Sequence, residues 1–184
     1  MAKFVSLDEA VALIPDGASI MVGGFMGCGK TTVGKKLAEI SGRGYCDTDE
    51  LIVKRAGMPI PDIFKKYGEP YFRKLETDII KELCDFNGIA ACGGGAMLSD
   101  INSGIARENG IVVFLDVPFK TCFYRISGDS NRPVAASRTP KQLEELFNER
   151  YPVYKKNSSM TIKCEGGPLS VAKEIMDNLS LFQK

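Results

Sequence analysis

The chain has 184 residues, 44% of them hydrophobic and 26% charged, the balance of an ordinary globular protein that depends on neither disulfides nor a membrane. Its 24 Lys and Arg against 23 Asp and Glu leave a net charge of +1, which excludes the overall basic field that gathers nucleic acid. Histidine is absent and the six cysteines contain no CxxC pair, so the commonest zinc-site spacings are excluded too.

Residues 1–18 read as an extension attached to the body of the chain. Ser6 and Glu9 are spaced as a capping box ahead of the apolar stretch 7–14, and Pro15-Asp16-Gly17 makes a turn, so a short extra helix is expected there. The start lacks a basic segment followed by a long apolar run and a small-residue cleavage site. No segment approaches the roughly 18 uninterrupted apolar residues of a membrane span. Free thiols and a cytoplasmic location are expected, with no membrane partner.

From residue 19 onward, short apolar runs alternate with longer amphipathic stretches, the pattern of βαβ units and a parallel sheet. Five strands are predicted at 19–24, 44–46, 88–92, 111–116 and 160–163. Helices are predicted at 30–40, 49–56, 69–84, 100–108, 119–126, 140–155 and 169–181. Gly128, Asp129, Ser130, Asn131 and Pro133 break any periodicity in 127–137, which predicts a mobile loop. One domain, 19–184, accounts for the whole pattern.

Gly24-Phe25-Met26-Gly27-Cys28-Gly29-Lys30-Thr31 matches G-x-x-x-x-G-K-[ST] between a predicted strand and a predicted helix, as a P-loop requires. Its glycines let successive N–H groups point inward at an anion, and the helix start adds its positive dipole end. Lys30 would reach the β- and γ-phosphates of a nucleotide, and the Thr31 hydroxyl would ligate Mg²⁺. Cys28 inside this loop reads as a small residue that fits.

Three further clusters bear on the acceptor. Asp47-Thr48-Asp49 closes the second strand and puts two carboxylates at the carboxyl end of the sheet, where such folds bind ligands; strand alternation would set Asp47 and Asp49 on one side, and a helix N-cap is the competing role. Arg73 and Glu76 lie three apart on one helical face, which by itself is also the spacing of a surface ion pair. Gly93-Gly94-Gly95 allows very close backbone approach to something, or a plain turn.

In this order and spacing the clusters resemble shikimate kinase, over about residues 19–184. The resemblance implies an α/β P-loop NTPase fold of the nucleoside-monophosphate-kinase-like type, with a central five-stranded parallel sheet flanked by helices. A substrate-binding subdomain at about 47–84 and a lid at about 127–138 go with it. The family's G-F-M-G-[SA]-G-K-[ST] loop is met with Cys28 in the small-residue slot, implying nucleotide contacts from Gly27, Cys28, Gly29, Lys30, Thr31 and Thr32. Its D-[TS]-D pair implies that Asp49 holds shikimate hydroxyls, while Asp47 stands near Mg²⁺ and the transferred phosphoryl group. Its F-R-x-x-E element, here Phe72, Arg73 and Glu76, implies that Arg73 clamps the substrate carboxylate and Glu76 orients it. Gly93, Gly94 and Gly95 match the substrate-side turn, Phe64 an apolar wall, Arg132 the lid arginine and Arg150 a second carboxylate-gripping arginine. Arg125 matches the arginine that stacks on adenine, and Pro168 lies where the family has its adenine-side loop, without the basic residue often found there.

The reaction implied is transfer of phosphate from ATP to shikimate. Lys30, Mg²⁺ and Arg132 would offset the migrating charge, and Asp47 is the positioned proton acceptor in a chain without histidine. Closure of the lid would exclude water. A monomer with ATP, ADP and shikimate as its only partners is expected. Gluconate or a nucleoside monophosphate as acceptor would need different acceptor motifs, and a non-catalytic nucleotide-binding module would not need the paired carboxylates.

Residues 1–29 also resemble the amino-terminal start of a CoA-transferase α subunit, since Asp16-Gly17-Ala18-Ser19-Ile20-Met21-Val22-Gly23-Gly24-Phe25 follows its D-G-x-x-I-M-V-G-G-F sequence. Shikimate kinases usually begin only a few residues before the first strand and carry an aliphatic residue where Gly23 stands. The chain thus reads as two families meeting at a shared G-F-M-G segment. CoA-transferase activity is not expected, because the fragment is short and nothing in the chain resembles the region of that family's catalytic glutamate.

Overall fold

The computed structural model describes residues 18–127 and 133–179. The expected helix at 7–14 lies outside them, as do residues 128–132 of the predicted loop, Arg132 among them.

Strand β1 (Ser19–Gly23) is buried along its whole length. Ile20 and Val22 face one apolar cluster, with Leu37, Val113, Leu115 and Ile175, while Met21 faces another, with Ile52, Ile79, Ala90 and Val112. A strand covered on both faces reads as a near-continuous apolar run rather than an alternating one, here Ile20-Met21-Val22, and the buried Ser19 at its start donates its hydroxyl to the Leu83 carbonyl at 2.8 Å. From β1 the chain continues through α1 (Lys30–Ser41), β2 (Gly44–Asp47), α2 (Thr48–Ala56), α3 (Ile60–Glu82), β3 (Gly88–Ala91) and α4 (Asp100–Glu108). Then come β4 (Gly110–Asp116), α5 (Phe119–Ile126), the single turn α6 (Pro133–Ala136), α7 (Pro140–Asn157), β5 (Met160–Lys163) and α8 (Pro168–Leu179).

The five strands form one parallel sheet in the order β2-β3-β1-β4-β5. Ile20 is in register with Ile89 on one side and Ile111 on the other. The carboxyl ends of β1, β2 and β3 therefore lie side by side: β1 leads into the phosphate loop, β2 into the paired carboxylates and β3 into the glycine triplet. No helix among the described residues is long and apolar enough to cross a membrane. All six cysteines are described, and none forms a disulfide.

Gly68 divides α3 into two helical segments: the second starts at the predicted residue, Glu69, and the first, 60–67, is absent from the predicted elements. Pro59, Pro61, Gly68 and Pro70 read as breakers, yet Pro61 sits in the first turn, where its missing N–H costs nothing. The break itself is real but local: Gly68 takes φ 78° and ψ 172°, and the helix resumes directly after it. In the stretch predicted as loop, Pro133–Ala136 forms a helical turn.

Candidate active site

The first hollow lies where β1 passes into α1. Residues 24–32 line it together with Gly94 and Arg125. Gly27 takes φ 83°, and a Cβ there would lie 2.6 Å from the Cys122 carbonyl oxygen, so the loop can fold this closely over α5 only with glycine at that point. Helix α1 has no side-chain cap and no acidic residue in its first turn. Its first N–H groups and its dipole are accordingly available to an anion. Cys28 is buried in the core behind the loop, in keeping with a small residue that fits.

Asp47 ends β2 and caps α2: its Oδ1 accepts from the Asp49 backbone N–H at 2.9 Å, and its Oδ2 accepts from the Thr31 hydroxyl at 2.9 Å. Lys30 Nζ lies 3.1 Å from Asp49 Oδ2 and 3.5 Å from Asp47 Oδ1. The two carboxylates do face one cation, but strand alternation is not the reason. Asp49 stands in the first helical turn, and the cap folds it back beside Asp47. Burial alone would lower the Lys30 pKa; the Asp49 and Asp47 carboxylates outweigh it, and the net direction is upward, so Lys30 is charged.

A second cleft, open to solvent, adjoins the first. One helix, α3, supplies much of its wall with Ile60, Phe64, Phe72, Arg73 and Glu76; the Gly93–Gly95 turn, Asp49, Met26, Val134 and Arg150 complete it. The Phe64 and Phe72 rings pack 4.8 Å apart. Arg73 Nη1 donates to Glu76 Oε2 at 2.6 Å, while Nε and Nη2 donate to Glu69 Oε1 at 3.0 and 2.6 Å. Glu76 is only 2% exposed. Burial pushes its carboxyl above the usual range, the Arg73 guanidinium offsets this in part, and Asp49 acts in the same direction as burial. Burial likewise works against the charge on Arg73, and the Glu76 and Glu69 carboxylates reverse the balance, leaving it raised.

The glycine turn is explained by what touches it. A Cβ on Gly95 would lie 2.0 Å from Arg73 Nη1, and one on Gly93 would lie 2.6 Å from Asp49 Oδ1. The turn's backbone is held by Thr48 Oγ1, which accepts from Gly93 N–H, and by the Tyr154 hydroxyl, which donates to the Gly94 carbonyl.

Of the residues read from the sequence, Gly27, Cys28, Gly29, Lys30, Thr31, Thr32 and Arg125 come together at the first hollow. Asp49, Phe64, Arg73, Glu76, Gly93, Gly94, Gly95 and Arg150 come together at the second. Asp47 stands between the two through Thr31 and Lys30. Arg125 donates to the Gly27 carbonyl at 3.0 Å. Pro168 starts α8 and does not line the first hollow. Met26, Ile60 and Glu69 are additions that the motifs do not predict. Glu69 lies four residues before Arg73, the spacing of a helical ion pair, and Ile60 lies four before Phe64. Met26 carries no sequence signal of its role.

The family model for shikimate kinase matches residues 26–180. A shikimate kinase of Bordetella avium is 37% identical over 179 residues, covering 96% of this chain and 86% of the relative. One from Geobacter sulfurreducens is 43% identical over 141 residues, 76% of this chain and 78% of its own length. Among solved structures, shikimate kinase from Acinetobacter baumannii in complex with shikimate superposes with a TM-score of 0.85 at 37% identity, covering 91% of this chain and 96% of that one.

Proposed function

This chain belongs to the shikimate kinase family, and from that premise we propose that it transfers the γ-phosphate of ATP to the 3-hydroxyl of shikimate. The observation that carries the acceptor is the Arg73 guanidinium, fixed by Glu76 and Glu69 at the wall of a cleft that also contains Arg150. Two guanidiniums favour a planar carboxylate over a neutral sugar, because each can present a fork of parallel donors. The relative from Acinetobacter baumannii, solved with shikimate, supports the same acceptor. Asp49, on the same cleft, offers its carboxylate to the acceptor's hydroxyls, and Phe64 packs against the ring.

Phosphoryl transfer asks for in-line placement and charge neutralisation more than for covalent chemistry. The N–H groups of residues 24–32 hold the nucleotide phosphates at the start of α1. A phosphate entering the hollow competes with Asp47 and Asp49 for Lys30, whose ammonium then offsets charge at the β- and γ-positions. Asp47 takes the proton of the acceptor hydroxyl. Arg132, outside the described residues, is assigned the second cation on the migrating group. Arg125 and Pro168 are assigned the adenine side, and closure of the lid at about 127–138 shields the transfer from water.

No group of three or more acidic or cysteine side chains suited to a metal occurs among the described residues. Mg²⁺ does not need one, since it is commonly held by one or two carboxylates, substrate phosphates and water. The Thr31 hydroxyl and Asp47 carboxylate, 2.9 Å apart beside the hollow, are hard oxygen donors of that kind and would hold it. When bound, Mg²⁺ supplies further neutralisation of the phosphate charge. The enzyme is read as a cytoplasmic monomer with a substrate-binding subdomain at about 47–84. ADP release measured with shikimate, gluconate and nucleoside monophosphates side by side tests the function: turnover confined to shikimate is expected, and turnover on either other class without shikimate would refute it.

A further inference from the structure

The Gly93–Gly95 turn borders both hollows, and Gly94 and Met26 line both. A Cβ on Gly94 would sit 3.3 Å from Met26 Cγ and 3.5 Å from the Gly24 carbonyl oxygen, so this backbone lies directly against the phosphate loop. Any shift of the turn moves the acceptor relative to the nucleotide. In-line transfer tolerates little such movement.

The group that fixes this backbone from the far side is Tyr154. It lies on α7, one turn beyond Arg150, so the two side chains share a helix face. Its ring is 3% exposed and stacks on Phe114 of β4 at 5.3 Å and 24°. Its hydroxyl donates to the Gly94 carbonyl. Burial holds the phenol in its protonated, donating form; the adjacent Arg150 guanidinium works against burial without prevailing.

We propose that Tyr154 is a positioning residue that ties Arg150 to the Gly93–Gly95 turn, holding the acceptor-side arginine and the backbone shared by the two hollows in one register. The proposal rests on shikimate being the acceptor. The phenol hydroxyl donates to the Gly94 carbonyl, Arg150 lies one turn away on the same helix face, and stacking on Phe114 immobilises the ring that carries this donor. A phenylalanine can fill the same space but cannot donate, and would leave the Gly94 carbonyl without this donor.

The test is Tyr154→Phe in the full chain, with steady-state kinetics for both substrates, calorimetric binding of shikimate and of ADP, and thermal unfolding. The expected result is a KM for shikimate raised about tenfold, with the KM for ATP and the affinity for ADP within about twofold, in a protein that still unfolds cooperatively. In an Arg150→Ala background, the part of the loss that runs through Arg150 is gone and only the part that runs through the Gly94 carbonyl remains, so the same substitution should lower the shikimate kcat/KM by a smaller factor, about threefold. Equal losses for shikimate and ADP, or the full tenfold loss persisting in the Arg150→Ala background, would assign Tyr154 to general packing and overturn the proposal. Failure of the unmodified chain to phosphorylate shikimate would instead overturn the acceptor assignment on which it rests.

Discussion

The Thr31 hydroxyl donates to Asp47 Oδ2 at 2.9 Å, joining the first turn of the phosphate-loop helix to the cap of the next helix. Asp47 thus has a structural role, accepting from the Asp49 N–H, and a proposed catalytic one. The two can be separated by substitution.

Asparagine caps a helix about as well as aspartate but cannot accept a proton at neutral pH. Asp47→Asn should unfold within about 1 kcal/mol of the unmodified protein while kcat falls by about a hundredfold or more. A kcat within about threefold would remove Asp47 from the chemistry, and a loss well above 1 kcal/mol would show that the cap contributes more than its hydrogen bond.

Gly95→Ala tests the purpose of the glycine turn. The new Cβ would meet the end of the flexible Arg73 side chain, at 2.0 Å from Nη1, and not backbone. The guanidinium has to move, and the fold does not. Kinetics and calorimetry should find kcat/KM for shikimate reduced at least about tenfold, roughly 1.4 kcal/mol, with ADP binding unchanged. Wild-type shikimate kinetics would mean that the close approach serves no function.

Glu76 produces a pH dependence. Its folded pKa is raised above the ordinary glutamate value, so the native state holds this proton more tightly than the unfolded chain does. The stability it contributes is complete below the unfolded value of about 4.3 and is lost as pH rises through the raised folded value. Glu76→Gln, uncharged throughout, should abolish that part of the decline, so the difference in Tm between variant and unmodified protein should shift in the variant's favour as pH rises from about 4. A shift in favour of the unmodified protein would mean that the Arg73 pair outweighs burial and that the folded pKa of Glu76 is lowered instead of raised.

Much of the fold and site was legible in the sequence because the informative signals are local. Asp100–Glu108, Phe119–Ile126 and Met160–Lys163 coincide with their predicted bounds: Ser99 caps the first by accepting from the Asn102 N–H, and Pro118 immediately precedes the second. The phosphate loop could be read from its glycines and their place between a strand and a helix. The first part of α3 could not, since Pro59, Pro61 and Gly68 are breakers in most contexts, whereas in the fold Ile63 before Gly68 and Phe72, Leu75 and Ile79 after it are buried in one apolar cluster. The glycine triplet announced a close approach without naming its partners. Arg73 and Asp49 arrive from other elements, a tertiary fact that no spacing encodes. Met26 likewise acquires its place at both hollows only through the approach of Gly94.

In the proposed mechanism acceptor and nucleotide are held by different residues, Arg73 on one side and the phosphate loop on the other. Calorimetric titration of Arg73→Ala with shikimate and, separately, with ADP is the decisive test of that division. Loss of a charge-assisted fork worth roughly 3 kcal/mol should weaken shikimate binding by about a hundredfold, with ADP affinity within about twofold of the unmodified protein. Weakened ADP binding with shikimate affinity intact would place Arg73 in the phosphate site and refute the division.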